Sequence, residues 1–261
     1  MKSFNFKSAA NTKEAMKMAS GRATFLAGGM TLLPAIKLRL AAYSDLINIK
    51  KIKALSGIKV SSKSLRIGAT TTHAEVASSK EVGKSISSLA VLADGIGDPQ
   101  VRNRGTIGGS IANNDPAADY PSACLALNET IHTSKRKIPA NKFFKGMFET
   151  DLKKGELIES VEFEVPEKSA YAKFPNPASR YAIVGVYVAK LKKEVRVAVT
   201  GVESFVFRCK KLEDALTNNF SPSVIDNITI SSKGFNSDIH ASAEYRAHII
   251  KVMTKKAVSS C

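Results

Sequence analysis

The chain has 261 residues, 44% hydrophobic and 24% charged, the balance of a soluble globular protein long enough for about two domains. No apolar run approaches the roughly 20 residues that cross a bilayer, and Met1-Lys2-Ser3-Phe4-Asn5 lacks the apolar stretch of a secretory signal, so a cytoplasmic protein that is not integral to a membrane is expected. The formal charge of +16 comes from lysines in small groups along the whole length, with 7% aromatics and no tryptophan; a nucleic-acid groove concentrates both basic and aromatic residues, so docking faces for acidic partners are the favoured reading.

In chain order, residues 13–19 read as a helix, and Ala23-Thr24-Phe25-Leu26-Ala27 as a strand that breaks at Gly28-Gly29. Residues 32–40 carry Leu32, Leu33, Ile36, Leu38 and Leu40 on a helical pattern, with Thr31 as candidate N-cap and Pro34 in the first turn. The strand Asp45-Leu46-Ile47-Asn48-Ile49 completes a βαβ unit with parallel strands. A hairpin follows at 58–60 and 65–68, then a helix at 85–93, and strands at 159–165, 181–191 and 195–199. Pro166-Glu167-Lys168-Ser169 is the candidate domain boundary, where strand-like alternation stops. A last helix at 243–258 places Tyr245, Ile249, Ile250, Val252 and Met253 at helical spacing, with Lys255 and Lys256 in its last turn. The fold class is α+β.

Chemistry concentrates in two glycine turns, Ala27-Gly28-Gly29-Met30-Thr31 and Gly105-Thr106-Ile107-Gly108-Gly109-Ser110, each expected to precede a helix. Asp115 is the natural N-cap of the second helix, with Pro116 at its first position and Asp119 about one turn inside. Paired glycines let backbone N–H groups converge on phosphate oxygens, and Thr31, Thr106 and Ser110 add hydroxyls. Either turn alone is better explained by a tight loop that needs glycine for geometry alone, the two together tilt modestly toward a ligand, and Asp119 is equally explained by a solvated helix charge. Neither turn fits the common phosphate motifs, so the residues alone say anion or nucleotide binder. The cysteines Cys124, Cys209 and Cys261 and the histidines His73, His132, His240 and His248 lie far apart, which argues against a disulfide framework, an iron–sulfur cluster or a protein-held metal.

Over nearly the whole length the sequence resembles the FAD-binding subunits and domains of the xanthine dehydrogenase and carbon monoxide dehydrogenase group, with a pattern like that of the medium subunits of aerobic carbon monoxide dehydrogenases. The matching stretches are Ala27 to Pro34, Ile67 to His73, Asp98 to Gly109, Asn114 to Pro121, Ala178 to Ala182, and Glu244 to His248. The resemblance implies a PCMH-type FAD-binding domain at 1–168, with subdomains at about 1–56 and 57–168, then a smaller C-terminal α+β domain at 169–261. It implies FAD, with the pyrophosphate at Ala27, Gly28, Gly29, Met30 and Thr31 and at Thr106, Ile107, Gly108, Gly109 and Ser110. Asp119 is implied as a further contact, with Ile158, Lys173 and Tyr181 beside the flavin ring; Tyr181 reads equally as a strand residue and Lys173 as a surface lysine. His73 reads as structural, no side chain is assigned as catalytic, and no covalent flavin link is expected, because His and Cys are absent from both turns. A hetero-oligomer is implied, with a large molybdenum-cofactor subunit and a small [2Fe-2S] subunit; this chain would pass electrons from the clusters through FAD to an external acceptor. One departure is the short Ala189-to-Val195 segment, where many relatives have a longer hairpin loop. The alternative is a basic nucleotide- or nucleic-acid-binding protein without flavin redox activity. Substrate and final acceptor are not written in this chain.

Overall fold

Three main sheets organise residues 2–261, the span described by the computed structural model. In the first, β1 (Asn5–Ser8), β2 (Ala23–Leu26) and β3 (Asp45–Asn48) run parallel in the order β1-β3-β2, joined through α1 (Thr12–Met18) and α2 (Leu32–Lys37). The expected βαβ unit is there, packed on Ala15, Ile47, Ile49, Ile52 and Leu55. Its helix is shorter than the apolar pattern suggests: Arg39 takes φ +61° and ends α2, leaving Leu38 and Leu40 exposed to solvent. Thr31 precedes α2 with helical backbone and makes no side-chain cap bond, contrary to expectation.

The second unit opens with the expected hairpin, β4 (Ile58–Val60) and β5 (Ser64–Gly68). Six short helices follow: α3 (His73–Ser78), α4 (Lys80–Ser85), α5 (Ser87–Asp94), α6 (Pro99–Arg102), α7 (Ile107–Asn113) and α8 (Tyr120–Ala126). Then come β6 (Thr130–Thr133), β7 (Lys137–Pro139), α9 (Ala140–Phe143), a small hairpin of β8 (Phe144–Gly146) and β9 (Glu149–Thr150), and β10 (Ile158–Glu164). The antiparallel sheet has the order β4-β5-β10-β6-β7, so β10 returns from far along the chain to its centre.

The third unit is an antiparallel sheet of β11 (Lys168–Pro175), β12 (Ala182–Lys190), β13 (Val195–Thr200) and β14 (Phe207–Arg208), in chain order. β11 begins inside the polar stretch 166–169, where alternation had been expected to stop. α10 (Lys210–Asn218) and α11 (Ala243–Ser259) cover one face, and α5 and α8 of the second unit press on the other. Burial on both faces explains why β12 is apolar along its length instead of alternating. On α11, Tyr245 and Val252 face outward although their spacing suggested the core. The buried stripe instead includes Arg246, whose guanidinium donates to the carbonyls of Ile183 (2.7 Å) and Gly201 (2.8 Å) and pairs with Asp238 at 2.7 Å. Those fixed acceptors at the strand ends make the buried charge tolerable.

One group in the second core stands out. Glu129, between α8 and β6, is buried, with the weak donor thiol of Cys124 beside its carboxyl and no other hydrogen-bond partner among the described residues. Burial pushes its carboxyl up to about 8, so it is held neutral below that pH. An unfolded chain ionises this group near 4.5, so stability present below that pH is lost as pH rises toward about 8. Glu129→Gln should therefore flatten the pH profile of urea unfolding between pH 5 and 8, by up to about 1.4 kcal/mol per pH unit. Parallel profiles for the two proteins would show that the carboxyl is ionised in the fold.

Candidate functional site

The first glycine turn leaves the carboxyl end of β2, where open sheets commonly receive ligands. Gly29 takes φ +77°, a left-handed conformation that a side chain would strain. Through this turn the N–H groups of Gly28, Gly29, Met30 and Thr31 donate to no described residue, so four consecutive donors are available to an anion. Gly28 is glycine for another reason: a Cβ there would overlap the Arg104 carbonyl oxygen and lie 2.9 Å from Gly105 Cα. The two turns are in backbone contact.

The second turn starts a helix instead of preceding one. Thr106 is the N-cap of α7, its hydroxyl accepts the Gly109 N–H at 3.1 Å, and both glycines sit in the first helical turn. The Ile107 N–H donates to Thr71 O (3.1 Å), that of Gly108 to Ala69 O (2.9 Å) and that of Ser110 to Thr106 O (2.9 Å). Of the amides expected as a cradle at 106–110, those of Ile107 and Gly108 thus bond to residues 71 and 69 and those of Gly109 and Ser110 to Thr106, leaving the Thr106 N–H as the one without a partner among the described residues. Gly108 is packed so tightly there that a Cβ would lie 2.5 Å from that of Ala69. At Gly109 a Cβ would meet only Thr106 Oγ1 within 4 Å, so its open side and the Ser110 hydroxyl are what this turn presents.

The next helix begins at Tyr120, not at Pro116. Asp115 accepts the Ala117 N–H (2.9 Å) in a tight turn, and the carbonyls of Pro116 and Ala118 accept the Thr200 hydroxyl at 2.9 and 2.8 Å, with Gly201 N–H also on Pro116 (2.8 Å). Those carbonyls are claimed by the third unit before they can start a helix. Asp119 consequently occupies the N-cap position of α8, buried at 5% exposure, with Lys173 Nζ 3.0 Å from Oδ1 and the Tyr171 hydroxyl donating to the same oxygen. It is not a solvated helix charge. Burial raises its carboxyl above the usual range, opposed by the Lys173 ammonium and the Tyr171 hydroxyl.

These elements enclose a cavity of about 710 Å³ with walls from all three units, within the roughly 300–1,000 Å³ of cofactor-sized sites. Of the residues expected at the site, Ala27, Gly28, Gly29, Met30, Thr31, Thr106, Gly108, Gly109, Ser110, Asp119, Ile158 and Tyr181 line it. Ile107 is fully buried in the second core. Lys173 stands behind Asp119, its ammonium also donating to Gly95 O (2.7 Å) and Arg180 O (3.1 Å), and is no surface lysine. Tyr181 lies just before β12, partly exposed at the cavity edge, and is not a strand residue. His73 also lines the cavity; burial and the nearby Arg102 push its imidazole down to about 4, so it is neutral, and its backbone N–H donates to Gly105 O at 3.0 Å. That fits a structural residue. Arg180 and Tyr171 were missed; the position of Tyr171 two residues before Lys173, on the same side of a strand, was the available signal.

A cavity of this size, with unpartnered amides at one wall and apolar side chains around it, is a site for a dinucleotide cofactor. The sequence model for the FAD binding domain in molybdopterin dehydrogenase matches residues 2–167, and that for the CO dehydrogenase flavoprotein C-terminal domain matches residues 169–261. The glyceraldehyde dehydrogenase medium chain of Sulfolobus acidocaldarius is 36% identical, over 97% of this chain and 96% of that one. The carbon monoxide dehydrogenase medium chain of Hydrogenophaga pseudoflava is 33% identical, over 91% and 88%. Among solved structures, reconstituted CO dehydrogenase from Oligotropha carboxidovorans superposes with a TM-score of 0.91 at 26% identity, over 99% of this chain and 97% of that one. The chain belongs to the family of FAD-binding medium subunits of molybdenum hydroxylases, of the carbon monoxide and xanthine dehydrogenase type; it is an oxidoreductase subunit and its cofactor is FAD. The free donors at Gly28 to Thr31 fit the pyrophosphate of that cofactor.

Because a Cβ at Gly28 would meet backbone while one at Gly109 would meet only the Thr106 hydroxyl, 2.9 Å away on a side chain that can turn, alanine should separate the two. Gly28→Ala should cost about 3 kcal/mol or more in urea or thermal unfolding, and Gly109→Ala no more than about 1 kcal/mol. Equal losses would contradict the contact between the turns as the reason for Gly28.

Proposed function

We propose that this chain is the electron exit of a three-subunit molybdenum hydroxylase. In this reading a large subunit oxidises substrate at its molybdenum cofactor, a small subunit carries [2Fe-2S] clusters, and electrons leave through this chain to an external acceptor. The observation that carries the reading is the run of four unpartnered N–H groups at Gly28 to Thr31, opening on a cavity walled by all three units. Support for partners comes from relatives named as parts of larger assemblies, among them the nicotine 6-hydroxylase medium subunit and the 6-hydroxypseudooxynicotine dehydrogenase complex subunit alpha of Paenarthrobacter nicotinovorans. We divide the chain into an FAD-binding domain at 1–168 and a C-terminal domain at 169–261. We place it in the cytoplasm: its three cysteines are free, and among the described residues no helix is long and apolar enough to cross a membrane.

FAD, when bound, supplies the exchange of one or two electrons. The protein's part is to hold and shield it. The amides of Gly28 to Thr31 would take the pyrophosphate oxygens, with Ser110 adding a hydroxyl and α7 its dipole. Asp119 would accept a hydrogen bond from the cofactor, while Ile158 and Tyr181 would flank the ring. Lys173 would act on Asp119 and not on the ring. No residue is needed as nucleophile or general base, and neither turn offers a histidine or cysteine for a covalent link.

After incubation with FAD and gel filtration, the wild-type chain should carry a flavin absorption spectrum. Gly109→Val, which fills the open side of the second turn, should stay folded and lose most of it. A folded wild type without flavin would contradict the site as drawn. Reduction of the bound flavin only through the partner subunits and their substrate would support the assembly reading; reduction by NADH in the isolated chain would support a free-standing enzyme or a dehydrogenase-type subunit.

A further inference from the structure

We propose that Tyr171 and Lys173 are positioning residues that hold the Asp119 carboxylate with one oxygen occupied and the other turned to the cofactor, and that Gly185 is glycine to make room for the Tyr171 hydroxyl. The inference rests on the flavin reading of the cavity and extends it to residues of the C-terminal domain. Tyr171 and Lys173 lie two apart on β11 and converge on Oδ1 of Asp119. No described donor reaches Oδ2, although the residue is buried and lines the cavity. The Lys173 ammonium is committed to three acceptors, Asp119 Oδ1, Gly95 O and Arg180 O, so it cannot swing away.

Gly185 supplies an independent observation. It faces Lys173 in the β11–β12 register, in a strand otherwise rich in valine, where glycine lowers stability. A Cβ at 185 would lie 2.5 Å from the Tyr171 hydroxyl oxygen and 2.8 Å from Thr200 Cγ2. Thr200 is the residue whose hydroxyl holds the carbonyls of Pro116 and Ala118. Gly185 thus leaves space for two of the contacts by which the third unit positions the 115–119 turn.

Ionisation offers a readout that a merely structural role would not move. The titratable groups facing Asp119 are Tyr171 and Lys173 from β11, Tyr120 on α8, and Tyr181 and Asp115 at the cavity. Burial already raises the Asp119 carboxyl, and Tyr171 and Lys173 oppose that rise. Removing the hydroxyl should raise it further, so that affinity for FAD falls as pH falls.

The test is titration of the full-length chain with FAD, followed by flavin fluorescence from pH 6 to 9, with circular dichroism as the check on folding. Tyr171→Phe and Gly185→Ala should each weaken binding about tenfold at the acid end of the range, the Tyr171→Phe loss shrinking as pH rises. In an Asp119→Asn background, which binds weakly at every pH, adding Tyr171→Phe should cause no further loss. Lys173→Met removes the other donor to Oδ1 and should show the same non-additivity, so it reads the claim if Tyr171→Phe does not fold. Wild-type affinity in Tyr171→Phe, or equal losses with and without Asp119, would overturn the proposal while leaving the flavin site itself intact. A wild type that binds no FAD would instead remove the reading on which it rests.

Discussion

The cavity depends on one close approach: the backbone at Arg104 and Gly105 lies directly on Gly28, with no room for a β-carbon between them. That contact joins the parallel sheet to the antiparallel one at the point where β2 ends, and it fixes the distance between the two glycine turns. The second turn can lie there because it is anchored from behind, with the amides of Ile107 and Gly108 bonded to carbonyls of residues 69–71. Packed backbone of this kind is stiff, since most amides of the second turn have fixed partners and small residues leave no slack.

The two turns look alike as sequence and differ in chemistry. In the first, four donors have no partner among the described residues and lie at the cavity; in the second, the amides of residues 107–110 are used in holding the turn in place. In the proposed site the first contributes binding groups and the second contributes position, a bare glycine face and a hydroxyl. The third unit completes the arrangement. Thr200 and Gly201 hold the 115–119 turn, and Tyr171 with Lys173 holds Asp119 itself, so a domain that supplies few cavity walls orients a charged one.

What could be read from the sequence follows the range of the interactions involved. The βαβ unit, the 58–68 hairpin and the last helix rest on local periodicity, and they are present with boundaries shifted by a few residues. The Asp115-Pro116 start failed because Pro116 and Ala118 give their carbonyls to residues more than eighty positions away, which no local cap signal reveals. Arg246 was overlooked as a buried residue because its acceptors are strand-end carbonyls at Ile183 and Gly201. Lys173 could be either a surface or a site lysine until its neighbour Asp119 was known. The glycine turns were visible as turns, but which of them keeps its amides free depends on the 69–73 segment lying behind the second.

Amide hydrogen exchange of the full chain with and without FAD tests this division of roles most directly. Peptides covering 27–33 should exchange rapidly without cofactor and slow at least about tenfold when FAD is added, because their free donors acquire phosphate acceptors. Peptides covering 106–110 should already be slow and change little. Protection confined to 106–110, with 27–33 unaffected, would contradict the assignment of the phosphate-binding amides to the first turn.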